Sequence, residues 1–143
     1  MPIARTCQYL VLQYMPNLAS REFVNCAVLL FEQPPSDGRR PFCGLRVRLD
    51  WSPLERLDEN VDVELVQNIV RDTGRRVGKA LEDPSGGGRL SRLLQEIGSW
   101  SNGVVSTAPV LLVTDDPEAS LSELDRVYPV SYTHLTLPTI CSV

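Results

Sequence analysis

The order of apolar patterns along the chain predicts an α+β fold. Three strand-like segments come first, two helical segments follow, and one more strand and one more helix complete the pattern. Consecutive strands usually pair with each other, and a run of strands followed by helices is typical of α+β domains. We therefore expect an antiparallel β-meander of three strands plus a fourth strand, packed with two to three helices.

The first three strands differ in pattern, and the pattern predicts how each one is covered. Residues 8–14 (QYLVLQY) are rich in aromatic and branched side chains. Residues 23–31 (FVNCAVLLF) are apolar at nearly every position, which predicts a central strand with both faces covered. Residues 45–49 (LRVRL) alternate, so their leucines and valine should face the core while Arg46 and Arg48 face outward.

The helices are indicated by apolar spacing and by capping residues. A Ser-Pro-Leu-Glu sequence at residues 52–55 predicts a short helical turn with the serine as its N-cap. Residues 61–81 and 90–100 carry apolar side chains at helical spacing, which predicts two amphipathic helices. A buried strand is expected at residues 110–113, and a capping aspartate followed by Pro117 marks the start of the last helix.

The last part of the chain does not read as natural protein sequence. Residues 130–139 (VSYTHLTLPT) resemble the in-frame translation of a common transposase-type sequencing adapter. We therefore expect a single α+β domain at residues 1–128, C-terminally truncated, and an adapter-derived tail at residues 129–143 that is dispensable. The only histidine, His134, and one cysteine, Cys141, fall in this tail and carry no functional argument.

Composition excludes several classes of protein. The chain has 143 residues, of which 43% are hydrophobic and 22% charged, as in ordinary globular proteins. A net charge of −4 is not that of a general nucleic-acid binder, so nucleic acid is not an expected partner. No apolar run reaches the ~20 residues that span a bilayer, and the N-terminus lacks a signal-peptide core. These features predict a cytoplasmic protein without a membrane partner.

The chemistry-bearing motifs are mostly absent. Without a histidine outside the tail, the chain offers no Ser-His-Asp or Cys-His pair, and it has neither a P-loop nor a dinucleotide-binding glycine motif. Cys7, Cys26 and Cys43 show no C-x-x-C spacing and are expected to be reduced core residues. The Asp115-Asp116 pair is explained by helix capping. We expect no metal and no cofactor.

Five polar side chains remain as candidates for binding. Arg21, Glu22 and Asn25 lie around the start of the second strand, where Asn25 interrupts an apolar run. A buried amide needs partners, and we expect its side chain to be hydrogen-bonded near the turn by the adjacent loop, by Gln8 or Gln13, or by a ligand. Arg46 and Arg48 on the outward face of the third strand are candidates for holding an anion.

Residues 9–31 (YLVLQYMPNLASREFVNCAVLLF) resemble the opening of a bacterial family catalogued as domain of unknown function 3037. Its members open with a YxLVRYVPD…REFVNIGVLLF pattern, and residues 112–117 (LVTDDP) are similar to its terminal strand and helix start. Cys26 and Ala27 depart mildly from the family's Ile-Gly. The resemblance implies a small bacterial protein. It also implies a possible protein partner, a HipA-like kinase homologue, because some members are encoded beside such kinases.

Two functions follow as hypotheses. The first is a non-catalytic binding or protein-interaction module, because no cluster of groups suited to acid–base, nucleophilic or metal chemistry is apparent. The alternative is a small metal-dependent hydrolase or nuclease-like enzyme that uses Glu22, Asp50 or Asp115 with a metal and an arginine. The enzyme requires that at least two of these carboxylates have oxygens within about 5 Å of each other in a cleft.

Overall fold

The computed structural model describes residues 4–17, 19–33, 39–82, 88–97 and 103–128, which form an open antiparallel sheet with helices. The elements in chain order are β1 (Arg5–Tyr14), β2 (Val24–Glu32), β3 (Cys43–Val47), α1 (Ser52–Leu57), α2 (Val63–Leu81), α3 (Gly88–Ile97), β4 (Val104–Ser106), β5 (Val110–Thr114) and α4 (Pro117–Val127). The predicted α+β fold is confirmed. The tail at residues 129–143, and the predicted helical residues 98–100, lie outside the described residues.

The sheet confirms the three-stranded meander and the fourth strand, which is β5, and it adds β4, a short strand that the sequence did not predict. Its order is β3-β2-β1-β4, with β5 also paired to β1. β4 lies opposite the end of β1 that contains Tyr14, and β5 lies opposite the end that contains Arg5. Between them, the backbone N–H of Thr107 donates to the Val11 carbonyl at 2.9 Å and its hydroxyl accepts from the Val11 N–H at 2.9 Å. Thr107 therefore keeps β1 hydrogen-bonded across the break.

Helices cover both faces of the sheet. On one face, side chains of β1 and β2 pack against α1, α2 and α3; the buried set includes Leu10, Leu12, Leu29, Phe31, Leu54, Val66, Val70, Leu90 and Leu93. On the other face, Cys7, Val11, Val28 and Leu30 pack against Leu121 of α4. Since β2 contributes to both clusters, the prediction of a central strand covered on two faces is confirmed.

A β-bulge in β2 decides where Asn25 points. Leu12 pairs with Ala27 and Gln13 pairs with Asn25, so Cys26 is an extra residue in β2. Cys26 and Ala27 both belong to the core beneath α1–α3. Strand side chains alternate between faces, so the extra residue moves Asn25 to the opposite face, away from that core.

The end of the third strand corrects the sequence prediction. β3 ends at Val47, and beyond it Leu49 is 64% exposed whereas Arg48 is only 6% exposed. The predicted alternation, with leucine inward and arginine outward, is therefore wrong after Val47, because the chain leaves the sheet there. The predicted N-cap of α1 is also wrong. The helix has no side-chain cap, and the Asp50 carboxylate instead accepts the Ser52 N–H at 3.0 Å.

Two of the helices, α2 and α4, begin at an aspartate that caps the first turn. The side chain of Asp62 accepts from the Leu65 N–H at the start of α2, and Asp116 accepts from the Ala119 N–H at the start of α4, as predicted for the second. Both caps satisfy N–H groups that have no partner inside a helix. Among the described residues, no helix combines the length and the apolar character that crossing a bilayer requires.

Candidate functional site

The five side chains predicted from the sequence do not form one site. Arg21 and Glu22 are exposed in the connection between β1 and β2, and Arg21 has a φ of 60°. The Arg48 guanidinium donates to the carbonyls of Asn25 at 2.5 Å and of Asp50 at 2.6 Å. The structure therefore brings Asn25 and Arg48 together, but as main-chain contacts that tie the start of β2 to the loop after β3.

Asn25 and Arg48 are structural in this arrangement. The Asn25 side-chain oxygen accepts from the Gln13 side-chain amide at 3.0 Å, which confirms the prediction of a hydrogen-bonded Asn25 near the first turn. Burial lowers the pKa of Arg48, since taking the guanidinium out of water disfavours its charged form. Because the guanidinium donates to two carbonyls of the protein, these donors are already used and do not point to an anion.

Arg46 lies beneath α4 rather than on an open face. Its guanidinium donates to the Ser122 hydroxyl at 3.1 Å and lies 4.0 Å from the Glu118 carboxylate. The expectation that Arg46 faces outward on an uncovered strand is therefore wrong, because α4 covers that face of the sheet. Its Nε atom is buried without a hydrogen-bond partner. The Arg46 side chain therefore joins β3 to α4.

The buried thiols do not offer a nucleophile. Cys7 and Cys26 are fully buried, as predicted, whereas Cys43 is exposed. Burial raises the pKa of Cys26 to about 12, and burial together with the nearby Glu32 raises the pKa of Cys7. A thiol with a raised pKa stays protonated at neutral pH and is a poor nucleophile and metal ligand.

The carboxylates named by the enzyme hypothesis are spread over the sheet. Asp115 follows β5 at the end of the sheet where Arg5 begins β1, and Glu22 precedes β2 at the end where Tyr14 closes β1. β1 has 10 residues, so these ends lie about 30 Å apart at ~3.3 Å per residue. Among the described residues, no group of three or more His, Cys, Asp or Glu side chains is placed to hold a metal ion.

A groove between α2 and α3 is a candidate site that the sequence did not predict. It contains two neighbouring cavities. The first, which we call the apolar cavity, has a volume of about 410 Å³ and is lined by Leu12, Ile69, Thr73, Arg76, Glu96, Ile97 and Val104. The second, the cation pocket, has a volume of about 210 Å³ and is lined by Arg76, Lys79, Arg89, Arg92, Leu93 and Glu96.

The described lining of the cation pocket is positively charged, whereas the chain as a whole is negatively charged. Helical spacing places Arg76 and Lys79 on one face of α2, and Arg89 and Arg92 on one face of α3, so the four cations converge on one opening. Among the described residues that line the pocket, Glu96 is the only acid, and it lies 3.3 Å from Arg76. No ion pair joins the other three cations to any residue that the structure describes. The pocket therefore presents three cations that have no ion-pair partner in the described part of the chain, in a protein whose net charge is −4.

The charges of α3 are arranged against its own dipole. Arg89 lies in the first turn, and Glu96 lies in the last turn, which carries no basic residue. The helix dipole favours the reverse order, and each misplaced end charge costs about 0.3–1 kcal/mol. Helix stability therefore does not explain these charges. The inverted order is a sequence signal at α3, although it does not show which helix α3 packs against.

The apolar cavity lies beside the cation pocket, and Arg76 and Glu96 line both. Apart from these two residues its lining is mainly aliphatic, with Leu12 and Val104 from the sheet and Ile69 and Ile97 from the helices. The Thr73 hydroxyl donates to the Ile69 carbonyl at 2.8 Å, so its proton is not directed into the cavity. The groove thus joins an anion-attracting half to an apolar half.

The comparisons with known proteins bear on the family alone. No curated protein and no solved structure matches the chain. The model of one protein family, described as "Protein of unknown function (DUF3037)", matches residues 9–128. That match includes all five strands from Tyr9 onward, the α2–α3 groove and α4 up to its C-cap at Tyr128. This protein therefore belongs to the DUF3037 family.

Proposed function

We propose that this protein is a non-catalytic binding module that holds a protein partner through acidic residues seated in the α2–α3 groove. The observation that carries the proposal is the cation pocket, in which Lys79, Arg89 and Arg92 surround a cavity and have no ion-pair partner among the described residues. Unpaired cations around a cavity are suited to carboxylates, and arginine binds a carboxylate through two parallel hydrogen bonds. The family resemblance suggests a HipA-like kinase homologue as the partner.

The size and charge of the groove favour a short acidic segment over nucleic acid. α3 has 10 residues and is therefore about 15 Å long at ~1.5 Å per residue. That length matches about four or five residues of extended peptide at ~3.3 Å each. A polynucleotide would extend past the groove over a chain of net charge −4, which repels it at long range.

The alternative function, a metal-dependent hydrolase or nuclease-like enzyme, has less support. It requires converging carboxylates, and Glu22 and Asp115 lie at opposite ends of β1. Asp50 is at the same end as Glu22, but one of its oxygens accepts the Ser52 N–H at the start of α1. The binding module needs no such convergence, so it is the function that we propose.

Fluorescence anisotropy with short labelled peptides tests the proposal. The probe alternates glutamate and leucine, and the comparison peptide replaces every glutamate by lysine. The triple variant Lys79→Gln, Arg89→Gln, Arg92→Gln should weaken binding of the acidic peptide about ten-fold or more, since each exposed charge contact is worth up to about 1 kcal/mol. Binding should also weaken as salt is raised. The matched control, Arg56→Gln, Arg71→Gln, Arg126→Gln, removes three exposed charges elsewhere and should bind like the parent protein.

Three outcomes would overturn the proposal. The first is equal binding of the acidic and basic peptides, and the second is a loss of affinity in the control triple variant as large as in the groove variant. The third is tighter binding of a single-stranded oligonucleotide of the same charge than of the acidic peptide. The last result would assign the cations to nucleic acid. A purified HipA-like kinase homologue from the same genome tests the named partner, and its binding should be lost in the groove variant and kept in the control.

A further inference from the structure

The ion pair between Arg76 and Glu96 occupies the boundary between the two halves of the groove. Both residues line the cation pocket and the apolar cavity. Their side chains meet across α2 and α3 at 3.3 Å, with 48% of Arg76 and 56% of Glu96 exposed. Of the described residues that line the cation pocket, the single acid therefore engages the single cation that also lines the apolar cavity.

Such a pair can be displaced at little cost. Exposed ion pairs contribute little to stability because water and salt screen them and because two long side chains must be held in one geometry. Glu96 also lies in the last turn of α3, where the helix dipole disfavours an acid. An incoming carboxylate that reached Arg76 would therefore compete with Glu96 on favourable terms.

We infer that Glu96 is an internal competitor for the acid of the partner, and that the groove selects an acidic residue lying close to an apolar side chain. The acid takes the place of Glu96 on Arg76 and contacts the neighbouring cations, while the apolar side chain enters the apolar cavity. This inference rests on the proposed function and specifies the chemistry of the segment that the groove accepts.

The apolar cavity is large enough for this role. Its volume is about 410 Å³, whereas a cavity of about 150 Å³ accommodates a benzene-sized group. A leucine side chain would therefore fit, and burying it against Leu12, Ile69 and Val104 should strengthen binding by about five-fold or more relative to serine. The cation pocket alone would not distinguish leucine from serine.

Two substitutions and two peptides test the inference in the full-length protein. Glu96→Gln removes the competing charge and should tighten binding of the glutamate–leucine peptide about two- to five-fold, the strength of an exposed ion pair. Glu82→Gln is the matched control, because Glu82 is 58% exposed and pairs with Arg40 at 3.1 Å outside the groove. It should change affinity by less than Glu96→Gln. A glutamate–serine peptide should bind more weakly than the glutamate–leucine peptide in every variant.

The outcomes separate this inference from the proposed function. If Glu96→Gln leaves affinity unchanged or matches Glu82→Gln, the competitor role is wrong. If leucine and serine peptides bind equally, the apolar cavity is not used. In both cases the triple variant of the cation pocket still decides the proposed function independently. A fall in the unfolding temperature of Glu96→Gln with no gain in affinity would show that the pair only joins α2 to α3, and would also overturn the inference.

Discussion

Two of the buried charged side chains, Arg48 and Glu32, are held by hydrogen bonds at the ends of strands. Arg48 donates to the carbonyls of Asn25 and Asp50. At the opposite end of the sheet, the Glu32 carboxylate accepts the Phe42 N–H at 3.0 Å and pairs with Arg39 at 3.1 Å. Burying a polar group without a hydrogen-bond partner lowers the stability of the fold. These contacts therefore allow a charged residue to be buried at the end of a strand.

Gly103 is a residue whose identity the fold requires. Its φ is +85°, and a Cβ at this position would lie 2.5 Å from the Tyr14 ring. The Tyr14 hydroxyl donates to Asp58 at 2.6 Å, so the ring cannot move without losing that bond. We predict that Gly103→Ala lowers the free energy of unfolding by about 1–3 kcal/mol, from backbone strain and the clash together.

Urea unfolding of Gly103→Ala measures this loss, and Gly88→Ala is its control. A Cβ at Gly88 would meet nothing within 4 Å, and this residue starts α3. The control should therefore be neutral or slightly stabilising. Equal losses in the two variants would show that the Tyr14 contact and the positive φ are not the cause.

The surroundings of some polar residues could be predicted from the sequence, and those of others could not. Asn25 could be predicted to need a partner because an amide in an apolar strand is a local signal. Arg46 and Arg48 could not be placed, because their surroundings depend on α4 and on where β3 ends, and neither is encoded in the alternation of residues 45–49. The bulge at Cys26 is equally invisible, since one extra residue does not interrupt an apolar run.

At the scale of elements, the break between β4 and β5 is the feature that sequence periodicity missed. The apolar run at residues 110–113 predicted β5, but the expectation that this strand is buried is wrong, because Leu111 and Val113 are more than half exposed. β4 has only three residues and gives no pattern. Thr107 makes the two strands act as one edge, because it exchanges two hydrogen bonds with Val11. One of these uses its side chain in place of a backbone carbonyl.

This role of Thr107 gives a clean test. Thr107→Val keeps the shape of the side chain and removes the oxygen that accepts the Val11 N–H, leaving a buried donor unpaired. We predict a loss of about 1–3 kcal/mol in the free energy of unfolding. Thr107→Ser keeps the hydroxyl and should lose much less. Chemical denaturation of the two variants decides the matter, and hydrogen exchange at the Val11 amide should accelerate only in the valine variant.

At the scale of the whole molecule, the sheet divides the protein into two cores. The meander and the number of covered faces could be predicted, because a strand that is apolar throughout needs cover on both sides. The pairing of β4 and β5 with β1 could not be predicted, since these strands lie far from β1 along the chain. The α2–α3 groove could not be predicted for the same reason. Its cations come from two helices, and the sequence of neither helix shows how the two pack together.

The arrangement of layers predicts the result of two truncations. The C-cap of α4 is complete at Tyr128, whose N–H donates to the Leu124 carbonyl at 2.8 Å. The family match also ends at residue 128. Residues 129–143 resemble adapter sequence, so we expect that no contact they make was selected for this domain. We predict that deleting them leaves the free energy of unfolding unchanged within about 0.5 kcal/mol, or raises it.

Deletion of residues 116–143 is the contrasting truncation. It removes α4 and uncovers Cys7, Val11, Val28 and Leu30, which pack against Leu121. Uncovering a buried aliphatic side chain costs about 1.5–3 kcal/mol, so several of them exceed the margin of a typical domain. The variant that lacks residues 116–143 should bind a hydrophobic dye and lose cooperative unfolding. The variant that lacks only residues 129–143 should do neither. Unfolding of the shorter truncation would contradict the adapter interpretation, because residues beyond Tyr128 would then be holding the second core together.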